Sequence, residues 1–381
     1  MLFRSLNLGK NLLSGEISNC WMMWTSLYAL NLGNNNFIGS VPTSIGSLIS
    51  LSYLHLYNNK FSGKLPSSLK NCTYLVTIDI SKNEFVGSIP SWIGQQLTSL
   101  VILILRSNNF HGFIPKELCS LTSLQILDLS HNKLFGSIPR CVNNFSAMTA
   151  NRNSSQPFFL YDTPLSYGSS TPFESALLVI KGKVREYSTF LQLVNIIDLS
   201  KNNLSGEIPK EVTNLQGLQS LNFSFNILTG RIPENIGDMV FLESLDFSLN
   251  QLSGHIPPSM SKLSFLSKLN LSMNHLTGRI PSSTQLQSLP ESSFIGNELC
   301  GPPLTDNCTI NDAKPDTGKG RSKDSGGREV DWFYVSMAPG FVVGFWVVWG
   351  LVLVNRRWRI GYFQFLDRMG YKLSCVVGKT W

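Results

Sequence analysis

The feature that most constrains the fold of this chain is an asparagine that recurs at a nearly fixed interval. Successive copies are 24 or 25 residues apart, except for one step of 70 residues between Asn132 and Asn202. A period of this length indicates a solenoid, in which each unit buries its apolar side only against its neighbours. The ten copies are Asn11, Asn35, Asn59, Asn83, Asn108, Asn132, Asn202, Asn226, Asn250 and Asn274.

One unit spans residues 124–139 and has the sequence Leu-Gln-Ile-Leu-Asp-Leu-Ser-His-Asn-Lys-Leu-Phe-Gly-Ser-Ile-Pro. Its first half predicts a short strand whose leucines point into the core while the residues between them face solvent. We expect the asparagine to turn inward and bond backbone groups that the end of the strand leaves free. This spacing of leucine and asparagine is that of a leucine-rich repeat, so the predicted fold is an α/β-type solenoid with a concave parallel β-sheet.

The period predicts six repeats in residues 1–139 and four more in residues 191–281. Residues 140–190 between them form an insert that lacks the repeat template. Long loops in compact folds are usually either functional or disordered, and we expect this one to be functional. The stretch 176–187 alternates well enough to pair as a strand.

A cap, a linker and a membrane span are predicted after the repeats. Residues 282–309 form the cap, where Cys300 and Cys308 are placed to form a disulfide in an oxidising compartment. Residues 310–332 are polar and rich in Gly and Ser, as in a flexible linker. Residues 333–354 contain no charge and are long enough for one C-terminal transmembrane helix across a ~30 Å hydrocarbon layer.

The positive charges nearest the predicted span indicate its orientation across the membrane. Arg356, Arg357 and Arg359 follow it closely, whereas Arg328 alone lies comparably close before it. This asymmetry predicts a short cytoplasmic tail over residues 355–381 and extracellular repeats, as in a single-pass type I protein of the plasma membrane. Small residues recur every four positions in the span and favour packing against a partner helix, although glycine is also simply common in such spans. These are Ser336, Gly340 and Gly344.

The N-terminus begins inside a repeat. Phe3, Leu6, Leu8 and Asn11 already fit the template, and neither a signal peptide nor a polar cap precedes them. Terminal repeats need a cap to cover their open edge. We therefore expect that the chain is truncated at its N-terminus.

Charge and cysteine content exclude several functional classes. The formal net charge is +7, but residues 355–381 contribute +5 of it, so nucleic-acid binding loses its main support. The seven cysteines include no CxxC pair and no zinc-type spacing with histidine. Cys119 and Cys141 occupy equivalent legs of adjacent repeats and are either paired or two small buried residues.

Four aspartates take the same position in their strands: Asp79, Asp128, Asp198 and Asp246. Asp79 and Asp128 could be regarded as a catalytic carboxylate pair. However, they lie two strands apart, roughly 10 Å at about 4.8 Å per strand, on an open sheet that does not exclude water. We attribute the aspartates to the repeat template and expect neither catalysis nor a cofactor.

Binding is the more promising activity for the concave face. Between its leucines, repeats two to six place an aromatic patch beside an apolar one with charge at the edge, as in many interface cores. The alternative is an ordinary solvated sheet face, which the β-branched pair Ile102 and Ile104 disfavours. The candidate ligand-binding residues are Tyr53, His55, Tyr57, Thr77, Asp79, Lys82, Ile102, Ile104, Arg106, Gln125, Asp128 and His131.

Seven Asn-x-Ser/Thr sequons predict glycosylation, and all fall on the side assigned as extracellular. They are Asn71, Asn144, Asn153, Asn203, Asn222, Asn270 and Asn307. Asn222 and Asn270 lie on the concave strands, where a glycan would block docking. In the tail, Tyr362 and Phe365 fit a Tyr-x-x-bulky sorting signal, which is a weak pattern.

Four segments together resemble the plant receptor-like proteins of the leucine-rich-repeat class, a group that includes the tomato xylanase receptors and apple scab resistance proteins. They are the leg Leu-Ser-Gly-Glu-Ile-Pro at 204–209, residues 181–187, the cysteines of the cap, and the aromatic segment 358–367. The resemblance implies a plant-type leucine-rich repeat and an ectodomain that senses an extracellular protein or peptide elicitor. It also implies that the chain has no kinase domain of its own.

Partners follow from the same resemblance. A leucine-rich-repeat receptor kinase would join as an adaptor through the small residues of the span. A second, co-receptor kinase would contact Lys181, Glu186 and Tyr187 at the end of the insert and the repeats that follow. The predicted function is thus a membrane-anchored receptor in plant defence. The alternatives are a developmental receptor of the same architecture and a soluble inhibitor of secreted cell-wall hydrolases.

Overall fold

The computed structural model describes residues 4–149, 176–180, 183–187, 194–305 and 308, all within one compact unit. In this part of the chain, two parallel sheets run along the solenoid. The inner sheet contains ten strands, one from each repeat. They are β1 (Ser5–Asn7), β3 (Ala29–Asn31), β5 (Tyr53–His55), β7 (Thr77–Asp79), β9 (Ile102–Ile104), β11 (Ile126–Asp128), β15 (Ile196–Asp198), β17 (Ser220–Asn222), β19 (Ser244–Asp246) and β21 (Lys268–Asn270).

A second set of strands forms the return leg of each repeat. Eight of them pair in one parallel sheet: β2 (Ser14–Glu16), β4 (Asn36–Ser40), β6 (Lys60–Gly63), β8 (Glu84–Gly87), β10 (Asn109–Gly112), β12 (Lys133–Gly136), β16 (Asn203–Glu207) and β18 (Ile227–Thr229). Three more pair at the C-terminal end: β20 (Ser253–Gly254), β22 (His275–Arg279) and β23 (Glu298–Cys300). The predicted solenoid with a parallel sheet is therefore confirmed.

Short helical segments connect the two sheets, and here the α/β-type prediction needs correction. Most are 3-10 helices of three to five residues, the short form in which this helix type usually occurs. These are Trp21–Trp24, Thr43–Ser47, Ser67–Asn71, Lys116–Ser120, Arg140–Asn144, Ser146–Met148, Lys210–Asn214, Ile236–Asp238, Pro258–Lys262 and Glu291–Ser293. Among the described residues, only α1 (Trp92–Gln96) and α2 (Thr284–Gln287) are α-helical.

The core consists of the residues that the template assigns to it. In the unit at 124–139, Leu124, Leu127, Leu129, Leu134 and Ile138 are at most 4% exposed. Phe37, Phe61, Phe85 and Phe110 form a buried stack with ring centroids 5.9 to 6.3 Å apart. Each apolar ring or leucine thus packs against its equivalent in the next repeat.

The marker asparagines connect successive repeats. Asn83 Nδ2 donates to the carbonyls of Ile80 and Ser81 in its own repeat and to Leu56 of the preceding one, at 3.0 to 3.1 Å. Its Oδ1 accepts the N–H of Phe61 at 3.0 Å. One side chain therefore satisfies three carbonyls and one N–H that the strand-to-leg turn leaves free, as predicted.

The ladder continues across the insert. β11 pairs directly with β15, and Asn202 Nδ2 donates to Leu129 O at 3.0 Å over a sequence separation of 73 residues. Asn202 Oδ1 accepts the N–H of Leu134 at 3.0 Å. At the other end, Asn297 extends the ladder into the cap by bonding Leu271 O and Leu276 N. The sequence period had not identified this eleventh member.

Within the insert, two strands are described. β13 (Ala176–Ile180) and β14 (Lys183–Tyr187) form an antiparallel hairpin in which Ala176 pairs with Tyr187. The predicted pairing of 176–187 is thus confirmed in the form of a hairpin.

Two disulfides join pairs of cysteines that both lie in the described residues. Cys300 pairs with Cys308 in the cap, as predicted. Cys119 pairs with Cys141, which the sequence left open. This bond joins the 3-10 helix Lys116–Ser120 to the helix Arg140–Asn144 at the start of the insert. Cys72 is a buried free thiol.

The described residues contain no helix that is long and apolar enough to span a bilayer. The span predicted at 333–354 lies outside them, as do the linker 310–332 and the tail 355–381.

We expect that Asn202→Leu will lower the free energy of unfolding by about 2–4 kcal/mol, because it leaves several backbone groups at the junction unbonded. The exposed Asn36 provides the matched control, and Asn36→Leu should change stability by no more than about 0.5 kcal/mol. Denaturant unfolding followed by circular dichroism measures both. Equal effects of the two substitutions would show that the ladder is unimportant at the junction.

Candidate ligand face and partner surface

The aspartate row lies on the inner sheet, where strand register aligns Asp79, Ile104, Asp128 and Asp198 in consecutive strands. Each aspartate bonds the serine two residues later. Asp79 Oδ1 accepts from Ser81 N at 3.0 Å and Ser81 Oγ at 2.7 Å, and Asp128 accepts in the same way from Ser130. These carboxylates belong to a local turn that the template repeats, which agrees with the interpretation from sequence.

Most of the candidate ligand-binding residues are buried, which corrects the expectation that they face solvent. Tyr53, His55, Thr77, Asp79, Ile102, Ile104, Arg106 and Asp128 are all at most 7% exposed. Ile102, Ile104, Ile126 and Ile196 form one apolar cluster, against which Val101 and Val194 pack. Branched side chains at strand spacing pack against one another instead of facing water. Tyr57 and Gln125 are half-buried, and Lys82 and His131 are exposed.

Arg106 replaces the serine that the template places two residues after the aspartate position. Its Nη1 lies 3.2 Å from Asp128 Oδ2, and both side chains are about 5% exposed, at 6% and 4%. The ion pair joins the strand segments of two adjacent repeats. Because a buried ion pair must offset its desolvation, losing one partner costs far more than losing an exposed pair.

Asp128 and Asp198 are direct neighbours on paired strands, and Arg106 forms its ion pair with Asp128. Burial, followed by the charge of Asp128, raises the pKa of Asp198 to about 7, against the lowering effect of hydrogen bonds from Ser200 and Asn222. Burial also raises the pKa of Asp128, although Arg106 and Ser130 act against it. The face therefore holds a carboxylate pair that does not readily carry two negative charges.

A second row runs along the edge of this face, at the position just before each marker asparagine. We call it the left-handed row, since its ten non-glycine residues all have φ between 51° and 58°. In the first seven repeats the row is polar: Lys10, Asn34, Asn58, Lys82, Ser107, His131 and Lys201. Burial and the positive charges of Lys201 and Arg106 lower the pKa of His131. Lys82 and Lys201 make the middle of the row a basic edge.

In the last three repeats the left-handed row becomes apolar. Phe225, Leu249 and Met273 are 48%, 40% and 50% exposed, and Lys201 Nζ lies 5.2 Å from the Phe225 ring centroid. Non-glycine residues with left-handed backbone carry a conformational cost of roughly 1–2 kcal/mol. Neither burial nor backbone preference accounts for large apolar side chains here. Aligning the residues before each marker asparagine would have found this surface in the sequence.

The remaining predicted sites divide between described and undescribed residues. Glu186 and Tyr187 lie in β14, whereas Lys181 lies outside the described residues. So do Ser336, Gly340, Gly344, Tyr362 and Phe365 and the sequons Asn153 and Asn307. Within the described ranges, no group of three or more His, Cys, Asp or Glu side chains is arranged to hold a metal ion.

Family models for the leucine rich repeat match residues 26–48, 50–72, 73–134, 194–215, 217–239, 241–263 and 265–286. Together these ranges cover just over half of the 381 residues. The chain belongs to the leucine-rich-repeat proteins. The break between matches at 134 and 194 coincides with the insert, which agrees with the two blocks of repeats.

Two relatives are receptor-like proteins of tomato, Solanum lycopersicum, which confirms the resemblance drawn from the sequence. Receptor-like protein EIX2 is 53% identical over 239 residues, covering 60% of this chain and 23% of EIX2. Receptor-like protein EIX1 is 50% identical over 251 residues, covering 63% and 24%. This leucine-rich-repeat chain spans about a quarter of the length of these relatives.

Solved structures with similar folds include plant receptor ectodomains. The Arabidopsis receptor kinase HAESA, in complex with the peptide hormone IDA and the co-receptor SERK1, matches with a TM-score of 0.61, 29% identity, and coverage of 78% of this chain and 42% of HAESA. The plant peptide hormone receptor RGFR1 in complex with RGF2 matches with a TM-score of 0.56, 33% identity, and coverage of 76% and 43%. A plant ice-binding protein matches with a TM-score of 0.58 and 25% identity, and the match covers 79% of this chain and 82% of the ice-binding protein. The fold alone therefore does not determine function.

We predict that the folded protein becomes less stable as pH rises from about 4 to about 7. Asp198 holds its proton more tightly when folded than when unfolded, so its contribution is fully present below the unfolded pKa and is lost as pH passes about 7. The slope approaches about 1.4 kcal/mol per pH unit for one such group. Thermal unfolding between pH 4.5 and 7.5 measures it.

Asp198→Asn should flatten this pH dependence, since the amide cannot titrate. Asp246→Asn is the matched control, because Asp246 holds the same turn in β19 but is only half-buried. A slope that survives Asp198→Asn unchanged would contradict the assignment.

Proposed function

We propose that this protein is a cell-surface receptor-like protein that binds an extracellular protein or peptide elicitor and signals in plant defence through partner receptor kinases. The observation that carries the proposal is the 53% identity with the tomato receptor-like protein EIX2 over 239 residues. The proposal includes the single-pass type I topology with a membrane helix at 333–354 and a glycosylated ectodomain.

The ligand side of the proposal centres on the edge of the inner sheet. The exposed Lys82 and His131 and the half-buried Tyr57 and Gln125 are accessible to a ligand, whereas the isoleucine cluster beneath stiffens the sheet. With Lys201 the edge is basic, which favours a ligand segment that carries acidic side chains or a carboxylate. The buried candidates, such as Asp79 and Ile104, would act by shaping this surface.

The partner side centres on the apolar end of the left-handed row. Phe225, Leu249 and Met273 form an exposed strip on three consecutive repeats after the insert. Aromatic and Met side chains are enriched at protein interfaces and concentrate their binding energy. In HAESA a co-receptor accompanies the peptide hormone. We propose that a co-receptor kinase ectodomain covers this strip, with Lys181, Glu186 and Tyr187 as further contacts.

A receptor for an endogenous peptide hormone is the second candidate. Two of the similar solved structures, HAESA and RGFR1, are complexes with peptide hormones. The two candidates differ in the origin of the ligand and share the same surfaces. An adaptor kinase that binds through Ser336, Gly340 and Gly344 belongs to both.

We expect that the tagged full-length chain, expressed in plant cells, co-precipitates receptor kinases identified by mass spectrometry. The double variant Phe225→Lys/Leu249→Lys should reduce capture of the co-receptor kinase more than about tenfold, since two interface side chains each contribute on the order of 1–2 kcal/mol. Lysine should fit the backbone, because Lys82 and Lys201 occupy the same left-handed position.

Phe113→Lys provides the control, since Phe113 is 65% exposed but lies outside the left-handed row. It should leave capture unchanged. Absence of any receptor kinase from the wild-type precipitate would contradict the proposed function. Normal capture by the double variant would contradict only the partner surface.

A further inference from the structure

The sequons on described residues fall into two structural classes. Asn71, Asn144 and Asn203 are exposed, and Asn222 and Asn270 are half-buried on the inner sheet. All five have the same sequence signal, so the difference between them comes entirely from the fold.

The exposed class lies on the outer surfaces of the solenoid. Asn71 and Asn144 each end a 3-10 helix, and Asn203 begins β16 in the return leg. In the part of the chain that the structure describes, the side-chain amides of these three residues make no hydrogen bond. Their nitrogen atoms are open to solvent, so a glycan attached there is compatible with the folded repeats.

The half-buried class is bonded into the fold through both groups that the sequon needs. Asn222 Oδ1 accepts from Ser224 N at 3.1 Å and Ser224 Oγ at 2.8 Å, and Asn270 does the same with Ser272 at 3.2 and 2.8 Å. Ser224 and Ser272 are the third residues of the two sequons. In addition, Asn222 Nδ2 donates to Asp198 Oδ2 at 3.2 Å.

The repeat template explains why these two sequons exist. Asp79, Asp128 and Asp246 bond the serine two residues later with the same geometry. Asparagine in place of aspartate keeps the turn and incidentally creates Asn-x-Ser. The motif at Asn222 and Asn270 thus has a complete structural reason that does not involve a glycan.

We propose that Asn71, Asn144 and Asn203 carry N-linked glycans and that Asn222 and Asn270 do not. In the transfer, Nδ2 forms a bond to the anomeric carbon of an oligosaccharide, and that carbon loses its bond to a lipid pyrophosphate. The amide gives up one proton, and the lipid pyrophosphate is the leaving group. Both donor and enzyme belong to the secretory pathway, so the inference rests on the proposed extracellular location of the repeats.

The consequence concerns the surfaces described above. With glycans only on the outer faces, the inner sheet of the repeats after the insert stays uncovered. The apolar strip at Phe225, Leu249 and Met273 lies next to this sheet and would remain open to a partner. The same pattern of residues would therefore protect the outer surfaces and leave the docking surface accessible.

The test uses the full chain expressed in plant cells. Asn71→Gln, Asn144→Gln and Asn203→Gln should each increase gel mobility by one glycan, whereas Asn222→Asp and Asn270→Asp should leave mobility unchanged. Aspartate restores the template residue at position 270, so Asn270→Asp should unfold at the wild-type temperature. Asn222→Asp replaces the donor to Asp198 with a second carboxylate beside it and should unfold at a lower temperature. Enzymatic deglycosylation in isotopically labelled water, followed by peptide mass spectrometry, assigns each site independently.

Two results would overturn the inference and leave the proposed function standing. One is a glycan on Asn222 or Asn270. The other is the absence of a glycan from Asn71, Asn144 or Asn203 in a chain that is glycosylated elsewhere. A chain without glycan at any sequon would overturn it together with the proposed extracellular location. If the isotope label, which marks a former glycan site, is found at Asn71, Asn144 and Asn203 and not at Asn222 or Asn270, the inference and the proposed extracellular location are both supported.

Discussion

The structure depends on the side-chain amide of one asparagine per repeat. A strand that turns sharply into a return leg leaves carbonyls and an N–H without partners, and each costs about 1–3 kcal/mol if it stays buried and unbonded. Asn83 satisfies four such groups in two repeats. The same set recurs from Asn35 to Asn274, and Asn297 keeps two carbonyls and one N–H of it. Leucine and phenylalanine stacking supplies the core, but the asparagine fixes the turn that allows the next repeat to stack.

Because the asparagine ladder and the surface residues are separate positions of the repeat, the chain tolerates an insert and a change from polar to apolar side chains on its surface. The ladder uses only the marker asparagine and backbone atoms, so the junction between Leu129 and Asn202 is bonded like any other. The residue just before the marker points outward and can vary freely. It is Lys82 or His131 in one half of the solenoid and Phe225 or Leu249 in the other, with the same backbone conformation. Recognition can therefore change from basic to apolar without altering the fold.

Much of the fold was predictable because its causes are local and periodic. The leucines, the inward asparagine and the cap disulfide follow from spacing alone. The exposure of the concave residues was not predictable, because alternation identifies the face of a side chain but not what packs on that face. Ile126 and Ile196 are 70 residues apart in sequence and neighbours in the sheet. Likewise, the Cys119–Cys141 bond depends on the approach of two adjacent legs, and the sequence does not give that distance.

The central claim is that the repeats on both sides of the insert form one continuous solenoid. Hydrogen exchange of the full chain, read by peptide mass spectrometry, tests it most directly, because Leu129 and His131 donate their N–H groups to Asp198 and Ser200 across the junction. The account predicts that peptides covering residues 126–134 exchange as slowly as those covering the equivalent residues 77–85. Fast exchange at 126–134 with slow exchange at 77–85 would contradict it, since the two blocks of repeats would then open independently.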